Sequence, residues 1–412
     1  MDLLKSIFKG DKVIWIIFLC LCLISIIEVF SAASTLTYKS GDHWGPITQH
    51  SIILMVGAVV VVFLHNVPYK WFQVFPVFLY PISLVLLAFV TLMGIITGDR
   101  VNGAARWMTF MGLQFQPSEL AKMAVIIAVS FILSKRQDEE GANPKAFKYI
   151  MILTGLVLLL IAPENLSTAM LLFGVVFMMM FIGRVAAKKL LLLAGGLVLI
   201  VALGVGTVVA IPAKTLHNTP GLHRLETWQN RIKGFFDKDE VPAAKFDIDK
   251  DAQIAHARIA IATSHVVGKG PGNSIQRDFL SQAFSDFIFA IVIEEMGLIG
   301  GIFVVFLYLC LLMRAGRIAQ KCERTFPAFL VMGIALLLVS QAILNMMVAV
   351  GLFPVTGQPL PLVSKGGTST LINCAYIGMI LSVSRYTAHL EEQKAHDAQT
   401  VSYTHLTLPT IL

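Results

Sequence analysis

One acidic side chain, Asp286, stands at the start of an apolar run that follows a long polar loop, in FLSQAFSDFIFAIVIEEMGLIGG. The run is long enough to cross a bilayer. A carboxylate at a membrane boundary is costly unless it is paired or wetted, so it marks a functional site by default. The chemistry available to it is general-base catalysis, in which a positioned carboxylate takes a proton from a reacting group.

A second group of chemically useful residues lies in GAARWMTFMGLQFQPSELAK, residues 103–122. Glu119 and Lys122 are three positions apart, so they share one face of a helix that begins near Pro117. They form either a purely structural ion pair or part of a functional site. Arg106, beside Trp107, is either an interfacial anchor or a bidentate phosphate contact.

A third group is the glycine loop GKGPGNSIQR, residues 268–277, which leads toward Asp286. Its alternating glycines, Gly268, Gly270 and Gly272, permit positive φ and close approach of the backbone to a ligand. Such a loop, with Ser274, can cradle an anion through backbone N–H groups. A tight turn with no ligand explains the pattern equally well.

Two further motifs complete the polar set. In PENLSTA, Glu164 and Asn165 either line a cavity or cap the next helix. In GLFPVTGQPLPLVSKGGTST, residues 351–370, irregular backbone near membrane depth is tolerated only when it is buried in protein or lines water, so Ser364 and Lys365 should face a cavity. Asn345, within the preceding apolar run, is interpreted as a helix–helix hydrogen bond.

Composition identifies the elements that must position these residues. The 412-residue chain is 56% hydrophobic and only 14% charged, which is typical of an integral membrane protein. Its net charge of +7 does not indicate nucleic-acid binding, because the basic residues gather in short loops between apolar runs. We predict an all-α membrane fold with ten transmembrane helices, at about 13–33, 50–67, 72–97, 117–134, 148–162, 167–183, 188–212, 285–313, 326–350 and 368–386.

The positive-inside rule sets the orientation. With both termini cytoplasmic, the short outside loops hold only the basic residues Lys39, Arg100, Arg106 and Lys365. One large extracytoplasmic loop, about 213–284, then joins helices seven and eight, and LHRLETWQNRIKGFF within it lies either on the membrane surface or in solvent. We divide the chain into a membrane domain (1–390), a cytoplasmic tail (391–400) and an end predicted to be non-native (401–412).

With this topology, all the motifs fall on the outer side. A carboxylate with several cationic groups facing outward suits an anionic, lipid-linked substrate in the outer leaflet. The alternative is a transporter that flips such a lipid, which needs a polar path to the inner leaflet. We take the first, second, seventh and tenth helices to lack polar residues at several depths, which argues against a proton relay.

The chain resembles the SEDS family of polytopic proteins, FtsW, RodA and SpoVE, which polymerise peptidoglycan glycan strands. The resemblance covers about residues 13–390 and rests on QPSELAK, GNSIQR, SDFIFA with EE and GLIG, and PVTGQPLPLVSKGG, in family order. GNSIQR is similar to the division-type members and differs from the elongation type, and an elongation-type polymerase is the alternative within the family. Asp286 is kept, although Ser281, Gln282, Phe284 and Ser285 replace the Pro, Glu, His and Thr common in relatives, and Lys365 stands where Tyr is common.

The resemblance implies a glycosyltransferase of the bacterial cytoplasmic membrane that polymerises lipid II during cell division, with undecaprenyl pyrophosphate as the leaving group. It implies a class B penicillin-binding protein and other division proteins as partners, and no nucleic acid. Asp286 would be the general base, and a divalent cation (Mg or Mn) could assist, although no metal ligands are identified. The expected substrate-binding residues are Arg106, Glu119, Lys122, Gly270, Gly272, Ser274, Ser364 and Lys365.

Overall fold

A computed structural model of the chain describes residues 9–32, 45–96, 107–110, 113–139, 141–211, 229, 248–280 and 284–407. The described residues are largely helical, with two short antiparallel strand pairs, β1–β2 (Met108–Phe110 with Leu113–Phe115) and β3–β4 (Gln137–Asp138 with Gly141–Ala142). The helices are α1 (Lys12–Ala32), α2 (Gly45–Asn66), α3 (Tyr69–Phe72), α4 (Phe75–Ile96), α5 (Pro117–Lys135), α6 (Pro144–Ile161), α7 (Leu166–Ile182), α8 (Ala187–Ala210), α9 (Ile248–Ala262), α10 (Ile288–Gln320), α11 (Thr325–Ala349) and α12 (Thr368–Thr407).

Eight segments among the described residues are long and apolar enough to cross a membrane, and they fall on α1, α2, α3–α4, α5, α6, α8, α10 and α11. The other two predicted spans coincide with α7, which has only 17 residues, and with the first half of α12, which continues without interruption to Thr407. The chain is therefore a multi-pass membrane protein, while the count of ten spans stays a prediction. The helix also runs through the predicted tail boundary near residue 390.

The centre of the bundle is formed by α5 and α11. A row of small residues on α5, Ala121, Ala124 and Ala128, is buried, which lets neighbouring backbones approach closely. On α11, a Cβ added at Gly333 would meet Met179 Cε at 2.6 Å and Ile126 Cγ2 at 3.0 Å. Close packing of α5, α7 and α11 thus explains why a glycine stands in the middle of α11. By contrast, α8 is almost entirely exposed, as expected for a helix at the periphery that faces lipid.

Polar contacts mark one end of the bundle. Arg314 Nε lies 2.5 Å from Asp11 Oδ2, and Lys321 Nζ lies 2.8 Å from Glu391 Oε1. The chain start, the turn between α10 and α11, and the end of α12 therefore share this end. Since all three were predicted to be cytoplasmic, the arrangement agrees with the predicted topology, although the side of the membrane stays a prediction.

The predicted eighth span is interrupted at Gly297, where α10 has φ 71° and ψ −174°. Residues 265–270, which include the start of the glycine loop, hydrogen-bond to the backbone of α10 on both sides of the break. Lys269 N and Gly270 N donate to the carbonyls of Glu294 and Glu295 at 3.0 and 2.8 Å, and Leu298 N donates to His265 O at 3.2 Å. The backbone groups that the break frees from the helix are thereby satisfied inside the protein, as a membrane-embedded break requires.

Substitution of Gly268 by Ala is expected to destabilise the protein strongly. Gly268 has φ +79°, and its added Cβ would overlap Gly297 N and Glu295 O in the break. The backbone conformation alone costs about 1–3 kcal/mol for a residue with a side chain, and the overlap adds to it. The measurement is thermal unfolding in detergent micelles. Gly195→Ala is the matched control, since nothing in the described structure apart from the backbone of α8 itself lies within 4 Å of its added Cβ. Equal unfolding temperatures for the two variants would contradict the close fit of Gly268 against the helix break.

Candidate functional site

The Pro- and Gly-rich segment between α11 and α12, residues 353–366, is the hub of the candidate site. Ser364 Oγ accepts a hydrogen bond from Leu360 N at 2.8 Å and donates one to Ser285 O at 2.7 Å. Lys365 N donates to Phe284 O at 2.9 Å. The segment is therefore fastened by its backbone and by Ser364 to the residues immediately before Asp286.

Asp286 stands at the boundary between accessible and buried structure. Its side chain is partly exposed, whereas the next residues, Phe287 and Ile288, are buried. Ser285 Oγ donates to Asp286 Oδ1 at 3.1 Å. The carboxylate is thus held by a hydrogen bond and remains partly exposed, and its role as a general base stays a prediction.

Glu119 and Lys122 form an ion pair of 2.8 Å, and both side chains are buried at the start of α5. Lys122 Nζ also donates to Gln341 Oε1 at 2.9 Å, and Gln341 Nε2 donates to Pro359 O at 3.0 Å. The pair is thus linked to the hub segment through one side chain of α11. Because both members are buried, this conformation matches the ion-pair interpretation, and substrate binding by either member remains a prediction.

Asn345 also connects α11 to the hub segment. Its Nδ2 donates to Asp286 O at 2.9 Å and to Gln358 O at 2.8 Å. In turn, Gln358 Nε2 donates to Thr168 Oγ1 at 2.6 Å, which brings in the PENLSTA motif. The interpretation of Asn345 as a helix–helix hydrogen bond is wrong, because both acceptors, Asp286 O and Gln358 O, lie in irregular segments outside the helices.

Asn165 fulfils both of the alternatives open for it. Its Oδ1 accepts from Thr168 N at 3.2 Å, which caps α7. With Glu164 and Pro117 it also lines a cavity of about 20 Å³, which is enough for a water molecule but not for a sugar ring.

Lys365 is a half-buried cation close to Asp286, because its backbone N–H donates to Phe284 O, two residues before Asp286. Its Nζ lies 5.5 Å from the centre of the Phe284 ring, which is a cation–π contact. Burial lowers the pKa of Lys365 from its ordinary value, because removal of water disfavours the charged form. An anionic group arriving beside this side chain would favour its charged form.

The glycine loop binds carboxylates of the chain itself. Gly268, Gly270 and Gly272 all have positive φ, as predicted. Gly272 N donates to Glu295 Oε2 at 3.0 Å, and Ser274 N donates to Glu295 Oε1 at 3.2 Å. The loop therefore cradles an anion, but the anion seen here is a buried glutamate of α10. Substrate binding by Gly270, Gly272 and Ser274 stays a prediction.

A second carboxylate of α10, Glu294, also binds the glycine loop. Lys269 Nζ lies 2.6 Å from Glu294 Oε1, and Ser274 Oγ donates to Oε2 at 2.5 Å. The sequence reasoning passed over the role of Glu294 and Glu295, although the signal was visible as two adjacent acidic residues inside an apolar run. In the structure they hold the glycine loop against the helix break.

The expectation that the first, second and tenth spans lack polar residues is wrong, since α12 alone buries Asn373 and Ser382 within the tenth. Ser25 and Glu28 of α1 and His50 and His65 of α2 are buried. Ser25 Oγ lies 2.8 Å from His50 Nε2 and donates to Val363 O at 2.7 Å, so α1 and α2 also support the hub segment. High mean hydropathy masked these isolated polar positions.

Two expectations about ligands have different outcomes. Arg106 lies outside the described residues. Among the residues that the structure describes, no group of three His, Cys, Asp or Glu side chains is arranged to hold a metal ion.

The described fold and site define a multi-pass membrane protein with a carboxylate beside an irregular, cation-bearing hub at one end of its bundle. The sequence profile of the FtsW/RodA/SpoVE family, described as "Cell cycle protein", matches residues 11–389. The chain belongs to this family, which confirms the resemblance drawn from its motifs.

Relatives extend along almost the whole chain. A protein of Trichlorobacter lovleyi named "Probable peptidoglycan glycosyltransferase FtsW" is 32% identical over 377 residues, which cover 91% of this chain and 93% of the relative. A protein of the same name from Geobacter sp. is 32% identical over 381 residues, covering 91% and 96%.

Solved structures share the fold. A chain in the structure titled "Structural coordination of polymerization and crosslinking by a peptidoglycan synthase complex" has a TM-score of 0.71 at 24% identity, covering 92% of this chain and 99% of that one. The rod shape determining protein RodA of Thermus thermophilus has a TM-score of 0.62 at 23% identity, covering 92% and 97%.

Proposed function

We propose that this protein is a peptidoglycan glycosyltransferase that polymerises lipid II at the outer face of the bacterial cytoplasmic membrane during cell division, with Asp286 as general base. The observation that carries the proposal is the attachment of Asp286, Lys122 and the PENLSTA motif to one hub segment that bears Lys365. Family membership and relatives named peptidoglycan glycosyltransferase FtsW support the same activity.

The proposed reaction is a direct displacement. The 4-hydroxyl oxygen of the acceptor's GlcNAc attacks the anomeric carbon of the donor's MurNAc, and the bond from that carbon to the pyrophosphate oxygen breaks. Asp286 takes the hydroxyl proton, and undecaprenyl pyrophosphate leaves. One displacement inverts an α-linked donor to a β-1,4 bond, so a single carboxylate is sufficient and no covalent enzyme intermediate is required.

Charge developing on the pyrophosphate must be neutralised as the bond breaks. We assign this role to Lys365 and Arg106, with Lys122 acting from the buried pair beneath the hub. Guanidinium and ammonium groups suit pyrophosphate oxygens. Since the described residues offer no cluster of metal ligands, no step is assigned to a divalent cation.

The rate of polymerisation is expected to fall at alkaline pH through loss of the Lys365 charge. Because burial lowers the pKa of Lys365, the charge is complete below that pKa and is lost as the pH rises through it. Lys365→Arg keeps its charge at higher pH, so the alkaline fall in its rate should begin at a higher pH than in the wild type. Initial rates measured from about pH 7 to 10 check this.

The matched control for that profile is Lys394→Arg, because Lys394 is exposed and pairs with Glu323 at the other end of the bundle. Its profile should coincide with that of the wild type. Identical alkaline limbs for Lys365→Arg and the wild type would remove Lys365 from the charge-neutralising role.

The proposed activity is tested with purified protein and labelled lipid II, with and without the class B penicillin-binding protein that we propose as its partner, alongside other division proteins. Polymer should form and should lengthen with time. Absence of polymer under both conditions, with the protein folded, would contradict the proposal.

A lipid II transporter is the second candidate. It is favoured by one observation, the burial of Glu28, His50 and His65 at different depths within α1 and α2. Liposomes that contain the protein distinguish the two activities. Translocation of labelled lipid II that continues unchanged in Asp286→Asn, together with absence of polymer, would identify a transporter.

A further inference from the structure

Two amide side chains of α11, Gln341 and Asn345, stand one turn apart and are both buried. Each joins the hub segment to one candidate site residue. Buried amides inside a membrane protein are costly unless they are hydrogen-bonded, and here the bonds go to groups on which the proposed chemistry depends.

Asn345 acts only as a donor. Its Nδ2 donates two hydrogen bonds, to Asp286 O at 2.9 Å and to Gln358 O at 2.8 Å. Its Oδ1 is buried and has no hydrogen-bond partner within the described parts of the chain. The side chain therefore ties the backbone of the candidate base to the hub, and an apolar side chain of the same size could not.

Gln341 makes the equivalent connection one turn along the helix. Its Oε1 accepts from Lys122 Nζ at 2.9 Å, and its Nε2 donates to Pro359 O at 3.0 Å. The two amides thus hold the consecutive carbonyls of residues 358 and 359. They lie about 6 Å apart along the helix axis, at 1.5 Å rise per residue.

We infer that Gln341 and Asn345 are positioning residues, which use the rigid, buried helix α11 as a spacer to fix where Asp286 and Lys122 lie relative to each other and to the hub segment. The inference rests on the proposed function. Neither amide touches the reacting atoms. Their contribution is the placement of the base, and misplacement of a reacting group by about 1 Å can cost on the order of 10²-fold in rate.

The test is Asn345→Leu, which keeps the side-chain size and removes both donors. Lipid II polymerisation should show kcat reduced by about 10- to 100-fold, with KM unchanged, because the substrate contacts are left in place. Ser340→Ala, the neighbouring position on the same helix and outside this network, is the control and should keep the wild-type kcat. A wild-type kcat in folded Asn345→Leu would overturn the inference.

A purely structural role would instead lower the unfolding temperature and change KM and kcat together. If Asn345→Leu does not fold, Asn345→Ala decides, since it also removes both donors and adds no bulk. A reduced kcat at unchanged KM in that variant supports positioning, and a wild-type kcat overturns it. Asp286→Asn, measured in parallel, separates the general-base proposal from the positioning inference. Full activity of Asp286→Asn rejects Asp286 as the general base. An inactive Asp286→Asn together with a fully active Asn345→Leu rejects only the positioning role.

Discussion

Asp286→Asn is expected to lower the rate of lipid II polymerisation by about 10²- to 10⁴-fold, the usual contribution of a general base. The amide keeps the size of the side chain and can still accept from Ser285 Oγ, which lies 3.1 Å from Oδ1 in the wild type. It cannot take the proton of the acceptor hydroxyl. Folding and lipid II binding should therefore survive while chain growth stops, which thermal unfolding, a binding assay and gel analysis of the products would measure.

Asp278→Asn supplies the control for this experiment. Asp278 is an exposed carboxylate that directly follows the glycine loop, and it pairs loosely with Arg277, at 3.6 Å. Its amide variant should polymerise lipid II at the wild-type rate. Polymer formation by Asp286→Asn at a rate comparable to that of Asp278→Asn would mean that another group takes the proton.

Lys122→Met is expected to lower the free energy of unfolding by about 3–5 kcal/mol, because it leaves Glu119 buried without its cation. In the wild type the two side chains are 2.8 Å apart, with side-chain exposures of 0% and 2%. Activity should be lost as well, since the cation beneath the hub segment disappears. The single variant cannot separate these two causes.

The double variant Glu119→Gln, Lys122→Met separates them. Replacement of both charges removes the unpaired carboxylate, so most of the lost stability should return, whereas activity should not. Unfolding temperature and polymerisation rate are measured on the same preparations. A double variant that is both stable and fully active would show that the pair is structural, and would withdraw Glu119 and Lys122 from the substrate-binding set.

The sequence was sufficient for the membrane class and for much of the arrangement of the site. Apolar length predicts spans well because a helix must be long enough to cross the bilayer. The motifs around Lys122, Thr168 and Asp286 were expected to converge, and the structure joins them through the hub segment. The glycine loop is different, since the backbone N–H groups of Gly270, Gly272 and Ser274 donate to α10.

Side-chain partners could not be predicted, because they depend on which helices become neighbours. Nothing in the order of residues says that Asn345 meets the carbonyl of Asp286, 59 residues away. The break at Gly297 was equally hidden, since mean hydropathy does not register one backbone conformation. The same averaging concealed Glu28 and His50, whose polarity is outweighed by the apolar residues around them.

The interruption of α10 has a consequence for biogenesis. The backbone around the break at Gly297 is not hydrogen-bonded within α10 itself, since Glu294 O, Glu295 O and Leu298 N are all satisfied by residues 265–270. Those residues precede the span and emerge from the ribosome first. In the predicted topology these residues must cross the membrane and fold back before the backbone at the break is hydrogen-bonded, so we expect loop export and helix insertion to be coupled.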